Sequence, residues 1–243
     1  PSDGRVYLYP QYEPADCRRV FPNFEQPDLK AVFNFRITAP RDWVVSSNGV
    51  LESEVSDPTD SNIVKRVFAP TERISTYITA VLAGEYFTVT DTYKPQSITN
   101  SGDIPLVAYC RHSLKPHFDY DNIFRVTKNG LDFFQDLFDY PYPYPKYEQA
   151  FVPEYNIGAM ENPGLVTFTE DFIFVSGATE DDLEGRANTI CHEMAHMWFG
   201  DLVTMKWWDD LWLKESFADF MGALGAIEAN GFNDAWVTFA NHR

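Results

Sequence analysis

Cysteine is scarce in this 243-residue sequence. Cys17, Cys110 and Cys191 are odd in number and far apart, which excludes a disulfide framework and a thiolate metal site and favours a reducing compartment, the cytoplasm. Positive charge is scarce as well. Lys and Arg total 19 against 36 Asp and Glu, a net charge of -17, so neither nucleic acid nor an anionic membrane is expected as a main partner. No apolar run reaches the roughly 18 residues that a membrane-spanning helix needs. No secretory leader, internal repeat or low-complexity tract is visible. The chain starts at Pro1 rather than at a methionine and reads as an excised piece.

What is present divides into two textures. Residues 1–90 read as strands: "KAVFNFRITA" alternates apolar and polar residues, "WVVSSNGVL" carries a turn signal at Asn48-Gly49, and "IVKRVFAP" and "TYITAVLAGEYFTVT" continue the pattern. This is expected to be the end of an antiparallel β-domain. The polar, breaker-rich stretch from Pro95 to Pro105 suits a boundary. From 91 to 243 the pattern becomes mixed. Ile123, Val126, Leu131, Phe134 and Leu137 recur at helical spacing between Asp119 and Phe138. "YPYPYPKYEQ" cannot be helical, because proline at alternate positions removes donors and fixes φ, and reads as an extended connector. Residues 149–174 read as strands broken by a glycine-containing turn. Thr179, with Asp182 three residues on, predicts a helix start. That helix should run to about Phe199, and a second from about Leu211 to Asn230, each stopped by a glycine.

The strongest chemical signal is "HEMAH" at 192–196. Residues four apart share a helix face, so His192 and His196 can hold one ion, and two neutral imidazoles suit Zn²⁺. Glu193 projects beside that ion and can take a proton from a water there. A catalytic zinc needs a third protein ligand and an open position. Glu215 is the candidate, since it follows His196 at a distance that leaves room for a turn and a returning helix. Its neighbours in "WLKESFADF" are apolar or aromatic, a setting that disfavours a carboxylate without a partner. Asp219, one helical turn after Glu215, could accept the free N–H of a zinc-bound histidine, His192 in the first place.

A second motif, "GAMEN", stands at 158–162, ahead of the first. Together, "GAMEN", "HEMAH" and Glu215 at this spacing resemble the aminopeptidase N-type zinc metallopeptidases, a gluzincin family. "QYEPADCRRVFPNFEQPDLKAVF" at 11–33 is similar to the signature near the end of that family's N-terminal β-domain, with departures at Cys17, Asn23 and Gln26, and "WWDDLWLKESFADFMG" at 207–222 is similar to its bacterial branch. The resemblance implies an α+β fold, the end of an antiparallel β-domain followed by a thermolysin-like zinc-binding catalytic domain, truncated at its C-terminal end. It implies one Zn²⁺ held by His192, His196 and Glu215, Glu193 as general base toward a metal-activated water, and removal of the N-terminal residue from peptides with a free amino end. Glu161 would bind the substrate's α-ammonium group, with Gln11 and Glu13 lining the same anchor. Gly158 and Ala159 would hold the substrate backbone as an added strand, and Met160 would floor the first side-chain pocket. The family also has a tyrosine well downstream of the glutamate ligand and a helical C-terminal domain. The chain stops at Arg243, soon after Glu215, so both are expected to be missing.

Two other readings use the same residues. HExxH alone permits a zinc endopeptidase, against which Glu161 in "GAMEN" argues. A non-catalytic zinc or peptide-binding module would have no use for Glu193 as a base.

Overall fold

The computed structural model of the chain describes residues 1–96 and 102–241. The first part holds short strands: β1 (Tyr7–Leu8), β2 (Arg36–Pro40), β3 (Val44–Ser47), β4 (Leu51–Ser56), β5 (Ile63–Phe68) and β6 (Val81–Gly84). They form two three-stranded antiparallel sheets, ordered β1-β6-β3 and β2-β5-β4. The strand expected from residue 30 begins only at Arg36; before it, Ala31 makes a single bridge to Ile74. The turn at Asn48-Gly49 does not close a hairpin. β3 pairs with β6 and β4 with β5, so the chain changes sheets there. The cause is the Asn48 side chain, which is buried, donates to the carbonyls of Ile78 and Pro163 at 2.9 Å each, and accepts from the Ala80 N–H at 2.7 Å. These bonds to distant backbone satisfy its amide where a local turn would leave it exposed.

Five further strands make one mixed sheet: β7 (Tyr86–Tyr93), β8 (Ile104–Arg111), β9 (Tyr147–Val152), β10 (Ala159–Met160) and β11 (Leu165–Thr169), in the order β10-β11-β9-β8-β7. β9 is parallel to both neighbours, and the other two pairings are antiparallel. Helix α1 (Tyr120–Phe138) crosses between β8 and β9. Its stripe of Ile123, Val126, Leu131 and Phe134 is fully buried in the main core, and each such side chain contributes about 1.5–3 kcal/mol relative to exposure. Leu137 is 46% exposed instead; Phe138, four residues after Phe134, continues the stripe and packs on Trp198 and Phe199. The last residues of the proline-rich connector, Tyr147 to Gln149, join β9. Of the stretch 95–105, part lies outside the described residues, and its end opens β8.

Helices α2 (Glu180–His196) and α3 (Trp212–Glu228) carry the histidines and Glu215, and a short α4 (Ala235–Asn241), not foreseen in the sequence, follows. The start of α2 is fixed by a capping box: Thr179 Oγ1 accepts from the Asp182 N–H, and the Asp182 carboxylate accepts from the Thr179 N–H. α3 ends before Gly231 as expected. α2 and α3 pack closely because small residues line their crossing. A side chain at Gly222 would come within 3.2 Å of His192 Cβ and 3.0 Å of the Asn188 carbonyl, so anything larger would push the two helices apart. Among the described residues, no helix is long and apolar enough to cross a membrane.

Candidate active site

The helix α2 presents His192 and His196 one turn apart, and α3 returns to place Glu215 against them. The Nε2 atoms of the two imidazoles are 3.1 Å apart. Glu215 reaches His192 Nε2 at 3.5 Å and His196 Nε2 at 3.6 Å through its two oxygens. Donors around a tetrahedral zinc with bonds of about 2.0–2.1 Å are separated by about 3.3 Å, so this triangle fits that ion. His196 is buried, and its Nδ1 lies 3.0 Å from the Phe199 carbonyl. A carbonyl can only accept, so Nδ1 carries the proton and Nε2 presents its lone pair to the centre of the triangle. The donor set, two imidazoles and one carboxylate, is chemically suited to zinc.

Glu193 is buried beside this triangle, and its Oε2 accepts no hydrogen bond. Oxygens of Glu193 and Glu161 and a nitrogen of His196 converge within 4.8 Å. Burial, with the charges of Glu161 and Glu215 added, raises the Glu193 carboxyl well above the usual range. An orphaned carboxyl oxygen beside such a donor set is placed to hold a water or a reacting group.

On the same side, Glu161 follows β10 and is almost fully buried. Glu13 enters from the loop after β1, and Gln11 donates from Nε2 to the Glu13 carbonyl at 3.1 Å. The structure thus brings a residue of the first sheet region and one of the mixed sheet to one place. Burial and the charge of Glu161 raise the Glu13 carboxyl to about 7. Burial works to raise the Glu161 carboxyl, but the charges of Lys214 and His196 and the hydrogen bond from Lys214 together hold it below the usual range. Gly158 is exposed next to the short edge strand β10, and a side chain there would meet nothing within 4 Å. Ala159 is half-buried in β10. Met160 is only 1% exposed and belongs to the main core. Asp219 lies one turn after Glu215 on α3 and is partly exposed.

The residue that sequence reasoning missed is Lys214. Its ammonium group is buried among three carboxylates, at 2.6 Å from Glu13, 2.5 Å from Glu161 and 2.6 Å from Glu215, and sits 5.3 Å from the centre of the Tyr77 ring. Burial should lower its basicity, but Glu161, Tyr77 and Glu13 more than reverse this and raise it. The signal was a lysine inside the apolar "WLKESF" run, which a single sequence reads as a solvated helix face. Glu215 itself is less enclosed than its neighbours suggested: its side chain is 38% exposed, and Trp212 and Leu213 face outward. Asp201, in the turn after α2, was also missed. It is fully buried with both oxygens unpaired, and burial with the Glu161 charge raises its carboxyl well above the usual range. Lys30, from the β-strand region, donates to the carbonyls of Asp201 and Leu202 at 2.6 and 3.0 Å and pins that turn.

Comparison with known proteins identifies the family. The Peptidase M1 N-terminal domain matches residues 2–78, and the Peptidase family M1 domain matches residues 123–243. The chain belongs to peptidase family M1. Among M1 relatives, Aminopeptidase N of Streptomyces lividans is 51% identical over 243 residues, 99% of this chain and 27% of that protein. Aminopeptidase N of Homo sapiens is 36% identical over 225 residues, 91% of this chain and 22% of that protein. Tricorn protease-interacting factor F2 of Thermoplasma volcanium is 35% identical over 235 residues, 95% of this chain and 27% of that protein. The chain therefore spans about a quarter of the length of these M1 relatives.

Proposed function

We propose that the protein containing this chain is a zinc-dependent aminopeptidase that hydrolyses the first peptide bond of substrates with a free amino end. The observation that carries the reading is the convergence, at one place, of a zinc-fitting triangle, an unpaired buried carboxyl at Glu193 and the carboxylates of Glu13 and Glu161. The metal would be held by His192, His196 and Glu215. When bound, zinc would polarise the scissile carbonyl, acidify the attacking water and draw the Glu193 carboxyl back toward its ionised form.

Glu193 then takes the proton of the attacking water and passes it to the leaving amine. Glu161, with Glu13 and Gln11, binds the substrate's ammonium group. Fixing that charge at a set distance from the reacting carbonyl lets only the first peptide bond reach it, which excludes blocked and internal segments. Gly158 and Ala159 offer their backbone to the substrate at the open edge of β10, and Met160 supports the first side-chain pocket from beneath. Asp219 orients a ligand histidine. The division into the end of a β-domain over 1–90 and a catalytic domain over 91–243 belongs to the same proposal, with β7 running across the join. The three free, buried cysteines support a reducing, cytoplasmic location.

The deciding experiment is turnover of aminoacyl reporters and their N-acetylated counterparts by the full-length protein. Hydrolysis of the free-amine reporters alone is expected. Equal hydrolysis of acetylated reporters would favour an endopeptidase.

A further inference from the structure

One buried charged group in the site is a cation that the proposed chemistry does not use. An ammonium group has three N–H donors, and Lys214 faces three carboxylates with them. It donates to Glu161 Oε1 and to Glu215 Oε1, and pairs with Glu13 Oε1. The oxygens of these three acids also lie within 4.8 Å of one another. The distances of 2.5–2.6 Å from Nζ are close to the roughly 2.3–2.6 Å at which oxygen ligands surround Ca²⁺. The three acids are thus shaped around a small cation, and a side chain of the same protein supplies it.

We propose that Lys214 is the built-in cation of the amine anchor and a specificity-determining residue: it takes one oxygen each from Glu13, Glu161 and Glu215, and so leaves room for a single incoming ammonium group and none for a divalent ion. The inference rests on the reading of Glu13 and Glu161 as the anchor for the substrate's amine. Without Lys214, three carboxylates would face one another in a buried site and would be neutralised by capturing a cation. A divalent ion is the strongest competitor, because it is multiply charged and prefers oxygen ligands. With Lys214 present and the Glu215 charge given to the metal, the single negative charge left over from Glu13 and Glu161 is matched to one ammonium. The side chain also holds Glu161 against Glu215, which ties the anchor to the proposed metal ligand set.

The test uses the full-length, zinc-loaded protein and Ca²⁺ as the probe, because Ca²⁺ competes poorly for the imidazoles. Calorimetric titration of Lys214→Met is expected to reveal one Ca²⁺ site per chain that the parent protein lacks. In kinetics, Ca²⁺ should raise KM of Lys214→Met for aminoacyl reporters at least about tenfold without lowering kcat, as a competitor at the anchor must. Adding Glu13→Gln to Lys214→Met removes one carboxylate and should abolish the Ca²⁺ site. A Lys214→Met protein with full zinc content that neither binds Ca²⁺ nor changes KM overturns the proposal. Should that variant not fold, the parent protein still decides it: competitive inhibition of the parent by millimolar Ca²⁺ would mean that Lys214 does not fill the site. Absence of any aminopeptidase turnover in the parent would instead defeat the functional reading, and the calorimetric result would stand apart from it.

Discussion

Replacing Glu193 by glutamine keeps the shape of the side chain and removes its ability to accept a proton. In the full-length protein, the variant is expected to retain its zinc by elemental analysis and to lose about 10²–10⁴ in kcat on aminoacyl reporters. Near-normal turnover would assign the base elsewhere. Asp219→Ala tests the partner proposed for a ligand histidine. Zinc affinity should fall about 10- to 100-fold, read by competition with a chromophoric chelator, while the helix content stays the same. At this scale the sequence was informative where chemistry demands rare residue types at fixed spacing. His192 and His196 stand out in the sequence alone, because four-residue spacing forces a shared helix face, and Glu193 and Glu215 stand out by their place relative to that pair. Lys214 and Asp201 do not, because burial of a charged side chain depends on what folds over it, and Lys30, Glu13 and Glu161 arrive there from other segments.

At the scale of elements, the turn after "GAMEN" is held by Gly164, which has φ 77°. A side chain there would stand 2.4 Å from the Asn48 carbonyl oxygen. Gly164→Ala is therefore expected to destabilise the protein by at least the roughly 1–2 kcal/mol that a left-handed backbone costs a residue with a side chain, measured by urea denaturation. Because this turn follows directly on Glu161, KM for aminoacyl reporters should rise as well. Unchanged stability would show that the Asn48 segment can retreat. The helix starts and stops were legible in the sequence through Thr179, Asp182 and Gly231, since caps are local hydrogen-bonding patterns. The pairing of β3 with β6 was not, because an Asn-Gly step normally signals a hairpin and only the distant carbonyls of Ile78 and Pro163 explain its other use here.

At the scale of the molecule, zinc stoichiometry is the broadest check. One Zn²⁺ per chain is expected by elemental analysis, and saturating zinc at about 100 times its Kd should add about 2.7 kcal/mol of stability, seen as a rise in Tm over chelator-treated protein. A calcium- or magnesium-only result would remove the metal reading. The M1 relatives are about four times longer than this chain, and α3 and α4 expose Trp212, Leu213, Phe220 and Val237. Residues 1–243 expressed alone are accordingly expected to hydrolyse aminoacyl reporters at least about 100-fold more slowly than the full-length protein, the scale of losing one oxyanion donor. Parent-like turnover from that piece would show that nothing beyond it is needed.

The sequence by itself determined the elements with local rules: the capped helix that carries the histidines, the returning helix with Glu215, the strand-rich first part and the overall acidity. Each follows from periodicity, capping chemistry or composition, which act over a few residues. Only the tertiary structure decided that strands on either side of Asn48 enter different sheets, that Glu13 joins Glu161 from a distant part of the chain, and that the ammonium of Lys214 lies between them. Those outcomes depend on burial and on partners far apart in sequence. The first rests on the buried amide of Asn48, the other two on desolvated charges meeting at about 2.6 Å, and no local pattern encodes which groups will meet.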